Sequence, residues 1–129
     1  LCRGYNAIGV SAVLAPDTKK VSGFESGADL PCFMSPSRYE LMVDGRKVVG
    51  SAQRRVRDTF LQHGSMPITC DRGALASATR LQDSSLLDRE MAGMAEFLPE
   101  RPTAEQLTGT FIRAFQERFS IEFRLRNSD

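Results

Sequence analysis

Apolar and polar side chains alternate with a period of two through residues 38–43, which is the pattern of a half-buried β-strand. After this strand comes Asp44–Gly45, a pair that favours a type I′ hairpin turn because both central positions need positive φ. One face of the predicted strand carries Tyr39, Leu41 and Val43, and the other carries Arg38, Glu40 and Met42.

The alternation continues after the turn and predicts a return strand to about residue 56. One face of this strand would carry Lys47, Val49 and Ser51. The opposite surface is left bare by Gly50 and Ala52, as is typical where a ligand or another backbone comes close. A turn at residues 58–59 and a third strand over residues 60–68 complete a predicted antiparallel meander.

Before the meander, Gly9 ends a helical stretch over residues 1–8, and residues 10–15 are predicted to form a short strand. Residues 16–30 are rich in Gly, Ser, Asp and Lys and are predicted to form a mobile loop. After the meander, Asp71 is the predicted N-cap of a short helix to about residue 78.

Two capping boxes are predicted further along. Ser85 with Asp88 would open a helix, and Thr103 with Gln106, just after a proline, would open a longer one. A last strand is predicted over residues 121–125, where apolar and charged residues alternate. The apolar sides of the two helices would carry Leu87, Met91 and Met94, and Leu107, Phe111 and Phe115.

These elements define an α/β (α+β) class in which helices pack on an antiparallel meander sheet, and 129 residues suffice for one domain spanning residues 1–129. Hydrophobic residues make up 41% and charged residues 26%, which indicates a folded protein rather than a disordered one. The net charge of +1 gives no overall attraction to nucleic acid or to an anionic membrane. Lysine is rare, so Lys47 within a strand pattern is unusual.

Three cysteines, Cys2, Cys32 and Cys70, are odd in number and lack CxxC spacing, which favours thiols in a reducing compartment. No apolar run reaches the roughly 20 residues that span a bilayer. We therefore expect a cytoplasmic protein with no membrane or nucleic-acid partner. One histidine and three scattered cysteines lack ligand spacing, so no metal site is expected.

The most specific strings are Pro31-Cys-Phe-Met-Ser-Pro-Ser37, Gly45-Arg-Lys-Val-Val-Gly-Ser-Ala-Gln53 and Leu61-Gln-His-Gly-Ser65. They resemble the biotin/lipoate protein ligase and transferase superfamily, and most of all the octanoyltransferases whose cysteine precedes the lysine-bearing hairpin. The resemblance is strong over residues 31–65 and general elsewhere. It implies a fold like that of class II aminoacyl-tRNA synthetases and biotin ligases, with this chain as the C-terminal, incomplete part of the catalytic domain.

The resemblance implies that Lys47 holds the acyl carbonyl, where a desolvated ammonium stabilises the charge that develops during attack. It also implies that Cys32 is the acyl-accepting nucleophile, since a thiolate attacks thioesters readily. Gly50, Ser51 and Ala52 would leave space for the acyl chain. The alternatives are an exposed strand lysine and a buried, unreactive cysteine; Cys2 and Cys70 are interpreted as structural.

His63 and Gly64 complete the predicted substrate-binding set, although a lone strand histidine more often packs with one satisfied hydrogen bond. Arg54, Arg55 and Arg57 could dock an acidic carrier protein or lipoyl domain, or could simply be a solvated strand end.

The leading functional hypothesis is transfer of an octanoyl or lipoyl group from acyl carrier protein to a lysine of a lipoyl-accepting protein, such as glycine cleavage H protein or a 2-oxoacid dehydrogenase E2, without a cofactor. The first alternative is an ATP-dependent lipoate-protein ligase, which would use ATP and Mg; the second is a non-catalytic partner subunit. The family also needs an upstream arginine- and glycine-rich segment with a histidine, which residues 1–30 do not match. We therefore expect a separate or removed N-terminal half, without which the chain is inactive.

Overall fold

A computed structural model describes residues 1–15, 40–81 and 83–124 of the chain. Five helical segments and five strands lie within these ranges. They are α1 (Cys2–Ala7), β1 (Val13–Ala15), β2 (Glu40–Val43), β3 (Arg46–Lys47), β4 (Gly50–Val56), β5 (Thr59–Ser65), α2 (Arg72–Thr79), α3 (Ser85–Glu90), a 3-10 helix (Met94–Phe97) and α4 (Ala104–Phe119).

The strands form two antiparallel sheets instead of one meander. β1, β2 and β3 make a three-stranded sheet in that order, and β4 pairs only with β5 within the described residues. The mixed α/β class with antiparallel sheets and helices is confirmed. The predicted loop over residues 16–30 lies outside the described residues.

The hairpin turn between β2 and β3 has the predicted conformation, with φ of 48° at Asp44 and 77° at Gly45. The single return strand was wrong, because Val48 and Val49 belong to neither strand and separate β3 from β4. Both valines are buried, at 0% and 5% exposure. Consecutive residues of a flat strand point to opposite faces, so a strand with one solvent face cannot bury both.

Two of the three predicted helix caps are observed. The side chain of Thr103 accepts from the backbone N–H of Gln106 and the Gln106 side chain accepts in return, so the predicted capping box opens α4. Asp71 caps α2 as predicted, by accepting from the N–H of Ala74. The box at Ser85 was wrong, because Ser84 is the N-cap residue and makes no side-chain cap bond.

α3 also ends before the residues expected to extend it. Met91 is extended, with φ −140° and ψ 156°, and Met94 belongs to the separate 3-10 helix. The reason is a competing partner: the N–H of Ala92 donates to the main-chain oxygen of Lys47 instead of continuing the helix. The predicted last strand was also wrong for residues 121–124, where Ile121 and Phe123 are 46% and 49% exposed.

The core lies between the three-stranded sheet and α1, α4 and the 3-10 helix. Tyr5 and Phe111 meet edge to face, with ring centroids 5.8 Å apart. A smaller cluster joins α2 and α3 to the end of β3. The main cluster includes Tyr5, Val10, Leu41, Val43, Val48, Val49, Ala92, Met94, Leu107 and Phe111, and the smaller one consists of Ala76, Leu86, Leu87 and Met91.

Candidate functional site

Lys47 is buried, with 6% of its surface exposed, although lysines in sheets usually reach solvent. Its Nζ donates a hydrogen bond to Oε1 of Glu40 at 2.7 Å, and each of the two side chains is 8% exposed. A charge is taken out of water in a folded protein only when another charge or strong hydrogen bonds compensate it. The β2–β3 hairpin therefore presents a buried ion pair to the interior.

The backbone of Lys47 is fixed from both edges of β3. On one edge, β2 pairs with β3 so that Met42 lies opposite Lys47. On the other edge, Lys47 forms a parallel bridge with Met91, and its carbonyl accepts from the N–H of Ala92 at 3.0 Å. A strand of only two residues is thus bonded on both edges, as a central strand of a sheet is.

A cavity of about 280 Å³ is lined in part by Glu40, the acidic member of the ion pair, while Lys47 is not among its described lining residues. Its described lining is mainly apolar, with Glu40 as the charged member and Ser51 as a hydroxyl. Such a lining suits a narrow apolar chain that carries a polar group at the end near the ion pair. The described lining residues are Leu1, Cys2, Leu14, Glu40, Leu41, Val49 and Ser51.

The other predicted substrate-binding residues lie on the β4–β5 ribbon. The register places Gly50 opposite Ser65, Ser51 opposite Gly64 and Ala52 opposite His63. Directly opposed residues share a face and successive residues alternate, so Ser51 and Gly64 are on one face while Ala52 and His63 are on the other. The structure brings Ser51 to the cavity and leaves His63 exposed.

The close approach of β4 and β5 explains why residue 64 is a glycine. A Cβ at this position would collide with the main-chain oxygen of Gly50 and would lie 3.2 Å from Cα of Ser51. Only glycine allows this approach of the two strands. Its presence therefore has a structural cause, and its role toward a substrate stays a prediction.

The three arginines of the predicted docking surface, Arg54, Arg55 and Arg57, are all exposed. They do not form one flat patch. Arg54 lies opposite Leu61 and Arg55 opposite Phe60, so the two point to different faces of the ribbon, and Arg57 is in the turn with φ 52°. Their role in docking stays a prediction.

Cys32, the predicted nucleophile, lies outside the described residues. The other two cysteines are half-buried: Sγ of Cys2 is 3.1 Å from the carbonyl oxygen of Ala12 and Cys2 also lines the cavity, and burial raises the pKa of the Cys70 thiol. The charge of Arg72 opposes that rise without cancelling it. A raised pKa lowers the thiolate fraction at neutral pH, so Cys70 is a weak nucleophile. The structural role of both cysteines stays a prediction.

In the described ranges 1–15, 40–81 and 83–124, no group of three or more His, Cys, Asp or Glu side chains could hold a metal ion. None of the helices in these ranges is both long and apolar enough to cross a bilayer.

Sequence reasoning missed the partner of Lys47, although the signal was available. A two-residue turn at Asp44–Gly45 places Met42 opposite Lys47, and Glu40 shares the face of Met42. Diagonal neighbours on one face of an antiparallel pair are within reach of long side chains. Predicted register alone therefore brings Glu40 to Lys47.

The chain matches the lipoyl protein ligase A/B catalytic domain over residues 1–116. Among curated proteins, it is 32% identical to octanoyltransferase LipM of Lysinibacillus sphaericus (strain C3-41) over 133 residues, covering 96% of this chain and 48% of that protein. It is 40% identical to octanoyltransferase LipM of Kyrpidia tusciae over 90 residues, covering 69% of this chain and 33% of that protein. The chain thus spans about half the length, or less, of these relatives.

Solved structures show the same fold. A lipoate-protein ligase A bound with ATP superimposes with a TM-score of 0.64 at 19% identity, covering 95% of this chain and 43% of that one. Protein Ta0514 of T. acidophilum with bound lipoic acid gives a TM-score of 0.64 at 18% identity, with 95% and 42% coverage. Because the family model matches residues 1–116 and the curated relative is 32% identical over 96% of the chain, this chain belongs to the lipoyl protein ligase A/B catalytic domain family.

Proposed function

We propose that the protein containing this chain is an acyltransferase that moves an octanoyl or lipoyl group from acyl carrier protein to a lysine of a lipoyl-accepting protein. The observation that carries the proposal is the buried ammonium of Lys47, which lies 2.7 Å from Glu40, a residue that lines a mainly apolar cavity. Relatives named octanoyltransferase support the acyl group proposed, at 32% identity over nearly the whole chain.

In the first half-reaction, the thiolate of Cys32 attacks the acyl carbonyl carbon of the carrier thioester. A new carbon–sulfur bond forms to Cys32, the bond to the carrier sulfur breaks, and the carrier leaves as a thiolate that takes up a proton. The carbonyl oxygen becomes negative in between, and the Lys47 ammonium donates a hydrogen bond to it. A buried, fixed donor suits this role because it needs no reorganisation as the charge appears.

In the second half-reaction, the neutral amine of the acceptor lysine attacks the Cys32 thioester. A carbon–nitrogen bond forms, the bond to Cys32 breaks, the Cys32 thiolate leaves, and the proton lost by the amine passes to solvent. Acceptors of the required chemistry are lipoyl domains such as glycine cleavage H protein or a 2-oxoacid dehydrogenase E2. The exposed Arg54, Arg55 and Arg57 would favour acidic donors and acceptors by charge.

Because the chain spans 48% of the relative from Lysinibacillus, we propose that the complete site also uses residues of an N-terminal half beyond this chain. The Cys32 thioester and the carrier donor are tested in the complete protein. Intact mass after incubation with octanoyl carrier protein should increase by one octanoyl group, and Cys32→Ser should abolish the increase while Cys70→Ser should not. An octanoyl adduct that survives Cys32→Ser would contradict the thioester.

An ATP-dependent lipoate-protein ligase is the second candidate, because the fold matches that of a lipoate-protein ligase A bound with ATP. In that reaction Lys47 would contact the carbonyl and phosphate of an acyl-adenylate. Free octanoate with and without ATP and Mg²⁺ separates the candidates: a ligase modifies the acceptor only with ATP, whereas the transferase needs octanoyl carrier protein. Failure of both reactions would favour a non-catalytic partner subunit.

A further inference from the structure

A second charged cluster lies behind the Lys47 site, on the far side of β3. Its centre is the carboxylate of Glu96 in the 3-10 helix, which accepts from Nη1 of Arg46 at 2.7 Å and from Nη2 of Arg72 at 2.7 Å. It also accepts from the N–H of Gly93 at 2.8 Å. We call the group Arg46–Glu96–Arg72 the arginine clamp.

The clamp is a partly buried network and not an isolated surface ion pair. Its side chains are 21% to 30% exposed, so solvent screens them only in part. Arg72 contacts both carboxylate oxygens of Glu96, at 2.7 and 2.8 Å. Charge-assisted hydrogen bonds of this kind are about twice as strong as neutral ones.

Arg72 ties the clamp to the segment that follows α3. Its Nη2 donates to the carbonyl of Met91 at 3.2 Å, and its Nε lies 3.0 Å from Oδ1 of Asp88, within ion-pair distance but without hydrogen-bond geometry. The extended path of Met91 is therefore held by a side chain from α2. This path brings the N–H of Ala92 to β3.

The segment formed by residues 91–96 contacts β3 directly. The N–H of Ala92 donates to the carbonyl of Lys47, and Met91 forms the parallel bridge to the same residue. Arg46, the other residue of this strand, is itself a member of the clamp. Both residues of β3 are thus held to the 91–96 segment, one through its side chain and one through its backbone.

We propose that the arginine clamp positions Lys47 for acyl transfer, with Glu96 as a positioning residue that acts through the backbone of β3. This inference rests on the function proposed above. Stabilisation of a carbonyl oxygen requires a donor placed to within about 0.5 Å, and a displacement of about 1 Å can cost about 100-fold in rate. The Glu40 pair orients the ammonium, and the clamp fixes the strand from which it extends.

The test uses the complete protein in transfer of octanoate from octanoyl carrier protein to a lipoyl domain. Glu96→Gln should lower kcat by about 10-fold to 100-fold and leave KM for the carrier within about twofold, because the proposed role of the clamp is to place Lys47 and not to bind the carrier. Glu122→Gln is the matched control, since Glu122 pairs with Arg124 at 3.8 Å with both side chains largely exposed. It should leave kcat unchanged.

A double-mutant cycle separates positioning from general stability. In the Lys47→Ala background, Glu96→Gln should change the residual single-turnover rate by less than about twofold, because the residue through which it acts is gone. An equal loss in both backgrounds would overturn the proposal, as would an unchanged kcat in Glu96→Gln alone. If Glu96→Gln does not fold, Arg46→Ala and Arg46→Lys replace it, and the lysine variant should recover most of the rate.

Hydrogen exchange of the Ala92 amide gives a readout that does not depend on activity. Glu96→Gln should speed its exchange by at least about 10-fold relative to amides of α4, because the bond to Lys47 loses its support. Unchanged protection would contradict the clamp. If the wild-type protein transfers no acyl group, the proposed function fails, and the clamp is then judged by the Ala92 amide.

Discussion

The hydroxyl of Tyr5 donates a 2.9 Å hydrogen bond to the main-chain oxygen of Val48, 43 residues further along the chain. Both residues are fully buried, and Val48 directly follows Lys47 in the two-residue connection between β3 and β4. Burial raises the pKa of the Tyr5 hydroxyl, so it stays a neutral donor. Helix α1 therefore holds the connection between β3, in the three-stranded sheet, and β4, in the two-stranded sheet.

Replacing Tyr5 by Phe should lower the free energy of unfolding by about 1–2 kcal/mol, because it leaves the buried Val48 carbonyl without this donor. The ring, its packing on Phe111 and the cavity volume are retained. Urea unfolding monitored by circular dichroism measures the loss. A Tyr5→Phe protein as stable as wild type would show that water or another group satisfies the carbonyl.

Gly93 and Gly109 should respond to alanine with opposite signs. A Cβ at Gly93 would lie 2.8 Å from Cα of Thr69 and 2.9 Å from the carbonyl oxygen of Ile68, both backbone atoms. Overpacking of this kind costs about 1–3 kcal/mol. Gly109, inside α4, has only Nη1 of Arg113 at 3.8 Å, so Gly109→Ala should stabilise by about 0.5–1 kcal/mol.

Thermal unfolding of the two alanine variants compares them directly with wild type. Equal changes in Tm for Gly93→Ala and Gly109→Ala would mean that the 91–96 segment shifts at little cost to admit the added methyl group. That result would contradict a rigid connection from Ala92 to Lys47.

Acid should weaken the clamp before it affects neutral contacts. Burial alone would raise the pKa of Glu96, but hydrogen bonds from Arg72, the Gly93 N–H and Arg46 outweigh it and hold the pKa below the ordinary 4.5. The ionised form is favoured in the folded state, so this stabilisation is full above pH 4.5 and is lost as the pH falls through the lower folded value.

The Glu96→Gln variant should therefore lose less stability than wild type between pH 6 and pH 3, when each is compared with itself by urea unfolding. Glu122→Gln, which alters an exposed pair, should follow the wild-type curve. Identical pH dependence in wild type and Glu96→Gln would contradict a paired carboxylate at this position.

Features encoded by neighbouring residues were predictable from the sequence. The Asp44–Gly45 turn and the Thr103–Gln106 capping box each depend on residues at most three positions apart, and both are confirmed. The same reasoning placed Lys47 on the return side of the hairpin, whereas its inward orientation was implied by the family resemblance and not by the local pattern; the side chain is buried. Local patterns sufficed because the turn and the cap are each stabilised by residues close to one another in the sequence.

Features decided by distant partners were not predictable in this way. Helical periodicity from Leu87 to Met94 predicts a continuous helix. The N–H of Ala92 instead donates to the carbonyl of Lys47, 45 positions earlier in the chain, and the helix ends. The arginine clamp joins Arg46 and Glu96 across 50 positions and has no local signature. Only register reasoning across the hairpin would have brought Glu40 to Lys47.

The central claim is that the buried Lys47 ammonium serves the chemistry and not only the fold. Lys47→Met alone leaves the Glu40 carboxylate buried without this cation, which should cost about 3 kcal/mol of stability. Adding Glu40→Leu replaces the pair by apolar groups and should recover most of that loss. The double variant thus separates the two roles.

The decisive measurement is the single-turnover rate of octanoyl transfer by the complete protein carrying Lys47→Met with Glu40→Leu, made at a temperature where urea unfolding shows it to be folded. We predict a rate about 100-fold to 1,000-fold below wild type, the loss expected when one donor to a developing oxyanion is removed. A folded double variant that transfers octanoate at nearly the wild-type rate would contradict the account.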